Sequence, residues 1–204
     1  MQAGAKDLPI AFDERGLAPC VIQDQATGEV LTLAYMNAEA LRRTQETGEL
    51  HLWSRSRDEL WHKGATSGNT QAVRALRYDC DADSLLALVA PAGPACHTGE
   101  RTCFHRGDLE AMPHEALPAL ERTIVERLAA PAPDSYTARL LADPPLIGEK
   151  VREEAEEVTR AAREETDERV AEEAADVLYH LTVLLHSRGL TMADAAEVLL
   201  GRRR

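Results

Sequence analysis

The residue types change abruptly partway along this chain of 204 residues. All four cysteines, both tryptophans and both phenylalanines precede residue 105, whereas residues 149–188 are dominated by Glu, Ala, Arg, Leu and Val. Short apolar runs that alternate between turns specify strands, while apolar residues recurring every three or four positions specify helices. One chain carrying both vocabularies in succession has to build two layers of different kind rather than one repeated pattern. Its length allows one large domain or two small ones, and the shift selects two. The boundary is expected at Met112-Pro113-His114-Glu115, with a second proline at 118, giving domains over 1–113 and 117–204. Aromatics make up only 4% of the chain. Each half therefore has a modest aliphatic core, and oligomerisation, a homodimer in the simplest case, is a route to burying more surface.

The formal net charge of -12 is shared equally, with 17 acids and 11 bases in residues 1–116 and 18 and 12 in the remainder. Neither half offers the basic surface of a nucleic-acid binder. A phosphorylated small molecule remains compatible with an acidic chain that holds divalent ions and keeps its bases local. No apolar run reaches membrane-spanning length, and Met1–Asp7 lacks the hydrophobic segment of a signal peptide. The expected compartment is the cytoplasm, with no membrane partner. Thiols stay reduced there, which favours a metal role for the cysteines over disulfides.

In the first half, Cys20–Asp24 and Val30–Tyr35 read as strands around a turn at Thr27-Gly28. Asn37 caps a helix that Gly48 ends near Thr47. Residues 50–54 and 59–63 suggest a hairpin around Ser56-Arg57-Asp58, and Gln71–Asp79 and Leu85–Val89 supply two further strands. Asp79-Cys80-Asp81-Ala82-Asp83 sits at the end of one of them. In an extended segment Asp79, Asp81 and Asp83 share one face and Cys80 takes the other. Carboxylates suit magnesium, and thiolates suit zinc. Cys80, Cys96 and Cys103 supply three soft ligands and leave one coordination position for water. Free cysteines beside a solvated acidic loop are the plainer alternative. Lys63-Gly64-Ala65-Thr66-Ser67-Gly68-Asn69 combines a cation, hydroxyls and glycines, the chemistry of an anion-binding loop or of a simple turn. It lacks the spacing of a Walker loop.

Four ordered motifs make residues 10–110 resemble phosphoribosyl-AMP cyclohydrolase: Trp53-Ser54-Arg55-Ser56-Arg57, Trp61 through Gln71, Asp79 through Asp83, and Ala95-Cys96-His97-Thr98-Gly99 with Thr102-Cys103-Phe104. The resemblance implies zinc on Cys80, Cys96 and Cys103, partly across a homodimer, and magnesium on Asp79, Asp81 and Asp83. Trp53, Arg55, Lys63, Ser67, Asn69 and Gln71 are the candidate substrate contacts in these motifs. The reaction it implies is addition of water to C6 of the N1-substituted adenine of phosphoribosyl-AMP, with scission of the N1–C6 bond. Metal coordination brings the pKa of such a water toward neutrality. His97 is the first candidate for moving the proton, with His62 and His105 as rivals. A histidine beside metal ligands can instead serve only to orient them. Cys20 has no counterpart in the motifs and is expected in the core.

Beyond Leu146 the period becomes helical. Val151, Ala155, Val158 and Ala162 form one apolar seam, and Val170, Ala174, Val177, Leu181 and Leu184 a second. A charged turn at Glu164–Glu168 joins the two helices, Gly189 closes the second, Thr191 caps a third, and Leu117–Leu128 supplies a helix ahead of them. This is a small bundle. Glu154 and Glu157 flank the first seam at about 60° and 120° from Val151, and Glu173 and Asp176 stand at the same offsets from Val170. Four carboxylates along one edge of an antiparallel pair can hold magnesium, since unpaired like charges repel. A solvated acidic face has the same spacing.

Glu154-Ala155-Glu156-Glu157 followed by Glu173 through Leu181, with Ser135-Tyr136-Thr137 and Gly148-Glu149-Lys150-Val151, resembles phosphoribosyl-ATP pyrophosphohydrolase over residues 117–203, an all-helical relative of MazG-type pyrophosphatases. The resemblance implies magnesium on Glu154, Glu157, Glu173 and Asp176, with Glu154 and Glu157 serving catalysis and Lys150 meeting a phosphate of phosphoribosyl-ATP. Ala142-Asp143-Pro144-Pro145-Leu146 departs from the glycine-bearing connection usual there. The expected fold class is α+β, a mainly β cyclohydrolase domain followed by an all-α MazG-like domain, in a bifunctional hydrolase of histidine biosynthesis. A zinc nucleotide deaminase would use similar water chemistry, but its His-x-Glu and Pro-Cys-x-x-Cys pattern is absent. A zinc-stabilised interaction module with a helical tail is a non-enzymatic alternative, distinguished by metal that supports folding without turnover.

Overall fold

The computed structural model describes residues 8–130, 132 and 135–203. The amino-terminal segment Met1–Asp7 lies outside the described residues. The chain divides into two compact units, Met1–Glu110 and Ala111–Arg204.

The first unit is built on β1 (Ala18–Asp24), β2 (Val30–Met36), β3 (His51–Ser54), β4 (Glu59–His62), β5 (Gln71–Tyr78) and β6 (Leu85–Pro91), in the sheet order β4-β3-β2-β1-β6-β5. All neighbours are antiparallel except β1 and β6, which run parallel with Cys20 opposite Leu85. β1 and β6 alternate buried and half-buried residues, as strands with one core face do, and Ala18, Cys20, Ile22, Leu85, Ala87 and Val89 point inward. An isolated bridge pairs Glu49, just ahead of β3, with Ala72 of β5, so the two sides of the sheet also meet. Helix α1 (Ala38–Thr47) begins where Asn37 Oδ1 accepts from the Ala40 N–H at 2.8 Å and ends at Gly48, whose φ of 71° is a left-handed cap. Its inner face carries Ala40, Leu41 and Thr44.

A short 3₁₀ turn, Pro113–Glu115, opens the second unit. It contains α2 (Ala116–Ala129), α3 (Tyr136–Ala142), α4 (Pro144–Glu164), α5 (Asp167–Ser187) and α6 (Met192–Gly201). The segment that departs from the family pattern is a helix start. Asp143 Oδ1 accepts from the Leu146 N–H, and Pro144 occupies the first helical position, where its missing N–H has no partner to lose. Helix α3, which the periodicity does not reveal because it has only seven residues, is capped by Ser135.

The first apolar seam requires correction, and the second carries buried polar residues beside it. On α4 the inward stripe is Ile147, Val151, Glu154, Val158 and Ala161, with Ala155 and Ala162 exposed. On α5 the fully buried residues are Glu173, His180, Thr182 and Val183, while Val170, Ala174, Val177, Leu181 and Leu184 are half-buried. Glu154 and Glu173 therefore lie in the helix contact rather than at its edge. Alanine side chains give too little apolar area to set a helix's rotation against Ile147, and the carboxylates find cationic and imidazole neighbours inside.

Candidate active sites

A cleft of about 280 Å³ in the sheet unit is lined by Trp61, Lys63, Gly64, Thr66, Ser67, Asn69, Pro94, Cys96, His97 and Gly99. The loop after β4 folds back on itself, with the Gly68 N–H donating to the Gly64 carbonyl at 2.8 Å. At Gly64 φ is +86°, and a Cβ there would fall 2.3 Å from the backbone of Asn69 and Thr70, so only glycine fits. Lys63 is buried, and its Nζ donates to the Ala95 carbonyl at 2.5 Å, tying the loop to the residue before Cys96. Burial pulls the Lys63 pKa down, opposed by the adjacent Cys103 and Cys96 thiols. The Thr98 hydroxyl donates to Cys96 Sγ at 3.1 Å and, with its own N–H and the neighbouring Cys103 and His105, holds the Cys96 thiol below its ordinary pKa. Two soft ligands side by side, with His97 on the cleft wall, are a donor set fit for zinc.

The expectation of an extended Asp79–Asp83 segment is not met. These residues form a tight turn, with Ala82 at a φ of 62°, the Ala82 N–H donating to the Asp79 carbonyl and Ser84 N–H to Asp79 Oδ1 at 3.1 Å. The chain has to reverse between the antiparallel β5 and β6, so alternation of side chains stops. The turn nevertheless brings carboxylate oxygens of Asp79, Asp81 and Asp83 within 4.8 Å of one another, an all-oxygen set fit for a hard divalent cation. Burial opposes ionisation of Asp79, but donation by Ser84 and contacts with Asp83 and Asp81 leave its pKa lowered. Cys80 is exposed on this turn and does not join Cys96 and Cys103 in a three-thiol cluster.

The remaining sequence candidates of this unit scatter. His62 faces away from the cleft: its Nε2 lies 2.6 Å from Glu49 Oε2, and its ring stacks on His51 with centroids 4.6 Å apart. Trp53 pairs across the sheet with Tyr35 and Leu60, and the Arg55 guanidinium covers the Tyr35 ring at 3.8 Å. None of these lines the cleft. Gln71 is fully buried with neither side-chain amide atom hydrogen-bonded. His105 Nδ1 is 2.9 Å from the Thr102 carbonyl. Trp61 also lines the cleft, and its ring receives Lys63 Nζ at 5.3 Å from its centroid.

In the helical unit, carboxylate oxygens of Glu154, Glu157 and Glu173 lie within 4.8 Å of one another. Asp176, the fourth expected member, is exposed and outside this group, standing farther around α5 from the seam than Glu173 does. Arg169 pairs with Glu173, and Arg160 meets Glu157 at 3.1 Å. Burial raises the Glu154 pKa, His180 opposes this, and Asp176 and Glu157 reinforce it. Such clustered, partly desolvated carboxylates fit a divalent cation. Lys150 pairs with Glu153 at 2.8 Å and stands near Glu154 and Tyr136. His180 and Tyr136 are site residues that sequence reasoning missed. Their only signal was membership in the quoted motifs.

Comparison with known proteins divides the chain in the same way. The family model for phosphoribosyl-AMP cyclohydrolase matches residues 32–105, and that for phosphoribosyl-ATP pyrophosphohydrolase matches residues 117–203. Histidine biosynthesis bifunctional protein HisIE of Gloeobacter violaceus is 54% identical over 95% of this chain and 90% of its own length. The proteins of the same name from Bacillus subtilis and Thermus thermophilus are 49% and 48% identical, over 95% and 96% of this chain and 94% and 92% of theirs. The chain belongs to the HisIE family of bifunctional histidine-biosynthesis proteins.

Proposed function

We propose that the two units divide two successive hydrolyses between two separate metal centres. The chain is a bifunctional hydrolase that converts phosphoribosyl-ATP to phosphoribosyl-AMP and pyrophosphate, then opens the adenine ring of phosphoribosyl-AMP. In the helical unit Glu154, Glu157 and Glu173 are the magnesium ligands, with Asp176 at the rim and Lys150 nearest a substrate phosphate. Water attacks the α–β phosphoanhydride and pyrophosphate departs. In the sheet unit the cleft receives phosphoribosyl-AMP, with Ser67, Asn69 and the loop backbone toward its phosphates and His97 moving the proton as water adds to C6 and N1–C6 breaks. A bound divalent metal supplies an acidic water and neutralises phosphate charge.

Zinc is assigned to Cys96 and Cys103 of one chain with Cys80 from a second copy, and magnesium to Asp79, Asp81 and Asp83 beside that Cys80. The observation that carries the first unit's assignment is Cys96 beside Cys103 at the mouth of a cleft that also holds Lys63 and His97. Four free thiols fit a reducing compartment, and none of the described helices is long and apolar enough to cross a membrane. The test is incubation with phosphoribosyl-ATP, following pyrophosphate and ring-opened product separately. Cys96→Ser is expected to lose zinc and ring opening but keep pyrophosphate release, and Glu154→Gln the reverse. Full zinc and normal ring opening in Cys96→Ser would overturn the assignment.

A further inference from the structure

His180 is only 4% exposed. Its Nδ1 lies 2.9 Å from the main-chain oxygen of Asp176. A carbonyl oxygen only accepts, so Nδ1 carries the hydrogen, and in the neutral ring Nε2 is left as an acceptor. The Tyr136 hydroxyl, 3.1 Å from Nε2, donates to it. Glu154 Oε1 is 3.8 Å from Nδ1, outside hydrogen-bond distance. The imidazole thus backs the carboxylate without occupying its lone pairs. The next residue of α3 repeats the link, Thr137 Oγ1 lying 2.8 Å from the Tyr179 hydroxyl. The rings of Tyr136 and Tyr179 meet His180 edge to face, at centroid distances of 6.0 and 5.0 Å, and confine its plane.

We infer that Tyr136 and His180 are positioning residues for pyrophosphate release: the Asp176 carbonyl sets the His180 tautomer, the Tyr136 hydroxyl of α3 anchors the ring at Nε2, and His180 backs Glu154 with its oxygens free for a cation. The inference rests on Glu154 being a ligand, as proposed above. Were the proton on Nε2, the Nδ1 lone pair would face the Asp176 carbonyl. The ring would then turn, and an N–H aimed at Glu154 would take an oxygen that the cation needs. The Asp176 carbonyl disfavours that state, and Tyr136 holds the ring against turning from a position on a different helix.

The experiment uses the full chain with ¹⁵N-labelled histidine and Mn²⁺ as the probe cation, without nucleotide. Wild-type His180 is expected to show a protonated Nδ1 and an unprotonated Nε2. Tyr136→Phe, which removes one oxygen, is expected to leave the proton on Nδ1 but free the ring to turn, and to weaken Mn²⁺ binding about three- to tenfold, at or below the usual cost of losing an outer partner. Pyrophosphate release should lose kcat with little change in KM, while an unchanged thermal melt of the helical unit reports an intact fold. Ser135→Ala removes the α3 cap but leaves the hydroxyl, and is expected to preserve both tautomer and Mn²⁺ affinity. A wild-type His180 protonated at Nε2, wild-type Mn²⁺ affinity in Tyr136→Phe, or a Ser135→Ala that reproduces the Tyr136→Phe losses would each overturn the inference. Glu154→Gln separates the levels: unchanged Mn²⁺ affinity there would overturn the ligand assignment and the inference with it.

Discussion

Cys80 and Cys96 stand at opposite ends of the β5–β6 ladder. Cys80 follows the end where Tyr78 pairs with Leu85, and Cys96 lies beyond the end where Gln71 pairs with Pro91. At about 3.3 Å per residue the ladder is roughly 20 Å long, far more than two ligands of one zinc can span. Cys103 belongs with Cys96, since its N–H donates to Leu31 at the same end of the sheet. A shared zinc then requires two copies of the chain. Cys80→Ser and Cys96→Ser are each expected to be inactive in ring opening. Mixed and allowed to exchange subunits, they should recover about one quarter of wild-type activity, the statistical share for a two-fold interface with one intact site per mixed dimer. Mixtures that stay inactive despite demonstrated exchange would argue that one chain supplies all three thiols.

Gly64→Ala tests the cleft loop. Its Cβ would collide with main-chain atoms at 2.3 Å, and its φ of +86° is strained for alanine. The expected cost is at least about 1–3 kcal/mol in the sheet unit, with ring opening reduced tenfold or more and pyrophosphate release retained. Thermal melts and separate assays of the two products check this. Normal ring opening would mean that the loop rearranges freely.

Burial raises the Glu154 pKa above its ordinary value, so the folded protein binds a proton that the unfolded chain has released. Stability without a divalent cation should therefore fall as pH rises from the usual glutamate range through the raised folded value. Glu154→Gln should flatten that slope. Unfolding curves in chelator across pH 4–8, as an order-of-magnitude window for a raised carboxyl, compare the two; parallel slopes would remove Glu154 as their source.

Ile147 is fully buried with Ile124, Leu140 and Val183. Ile147→Ala is expected to cost about 2–5 kcal/mol in the helical unit. If each unit folds alone, ring opening should survive at temperatures that abolish pyrophosphate release, and a fragment of residues 1–112 should keep zinc and ring opening. Simultaneous loss of both activities in Ile147→Ala would mean that the units unfold together.

Much of the first unit was legible because strands advertise themselves locally: Cys20, Ile22, Leu85, Ala87 and Val89 alternate with less buried residues, and Asn37 and Gly48 mark the ends of α1 by their own chemistry. The motifs also marked Lys63, Ser67, Asn69, Cys96 and His97, in two segments that the cleft brings together. The sequence alone also determined which residue types carry the chemistry, because thiols and carboxylates have fixed metal preferences. Only the tertiary structure decided their geometry. The turn after β5 depends on β6 pairing back, and that pairing sends Cys80 away from Cys96. The rotation of α4 and α5 depends on which faces meet. Ala155 and Val151 look alike in a periodicity, but packing around Ile147 buries Glu154 and exposes Ala155. His180 became a site residue through a hydroxyl donated from Tyr136, 44 residues earlier in the chain. No local pattern encodes such a contact, because its free energy exists only after the helices have packed.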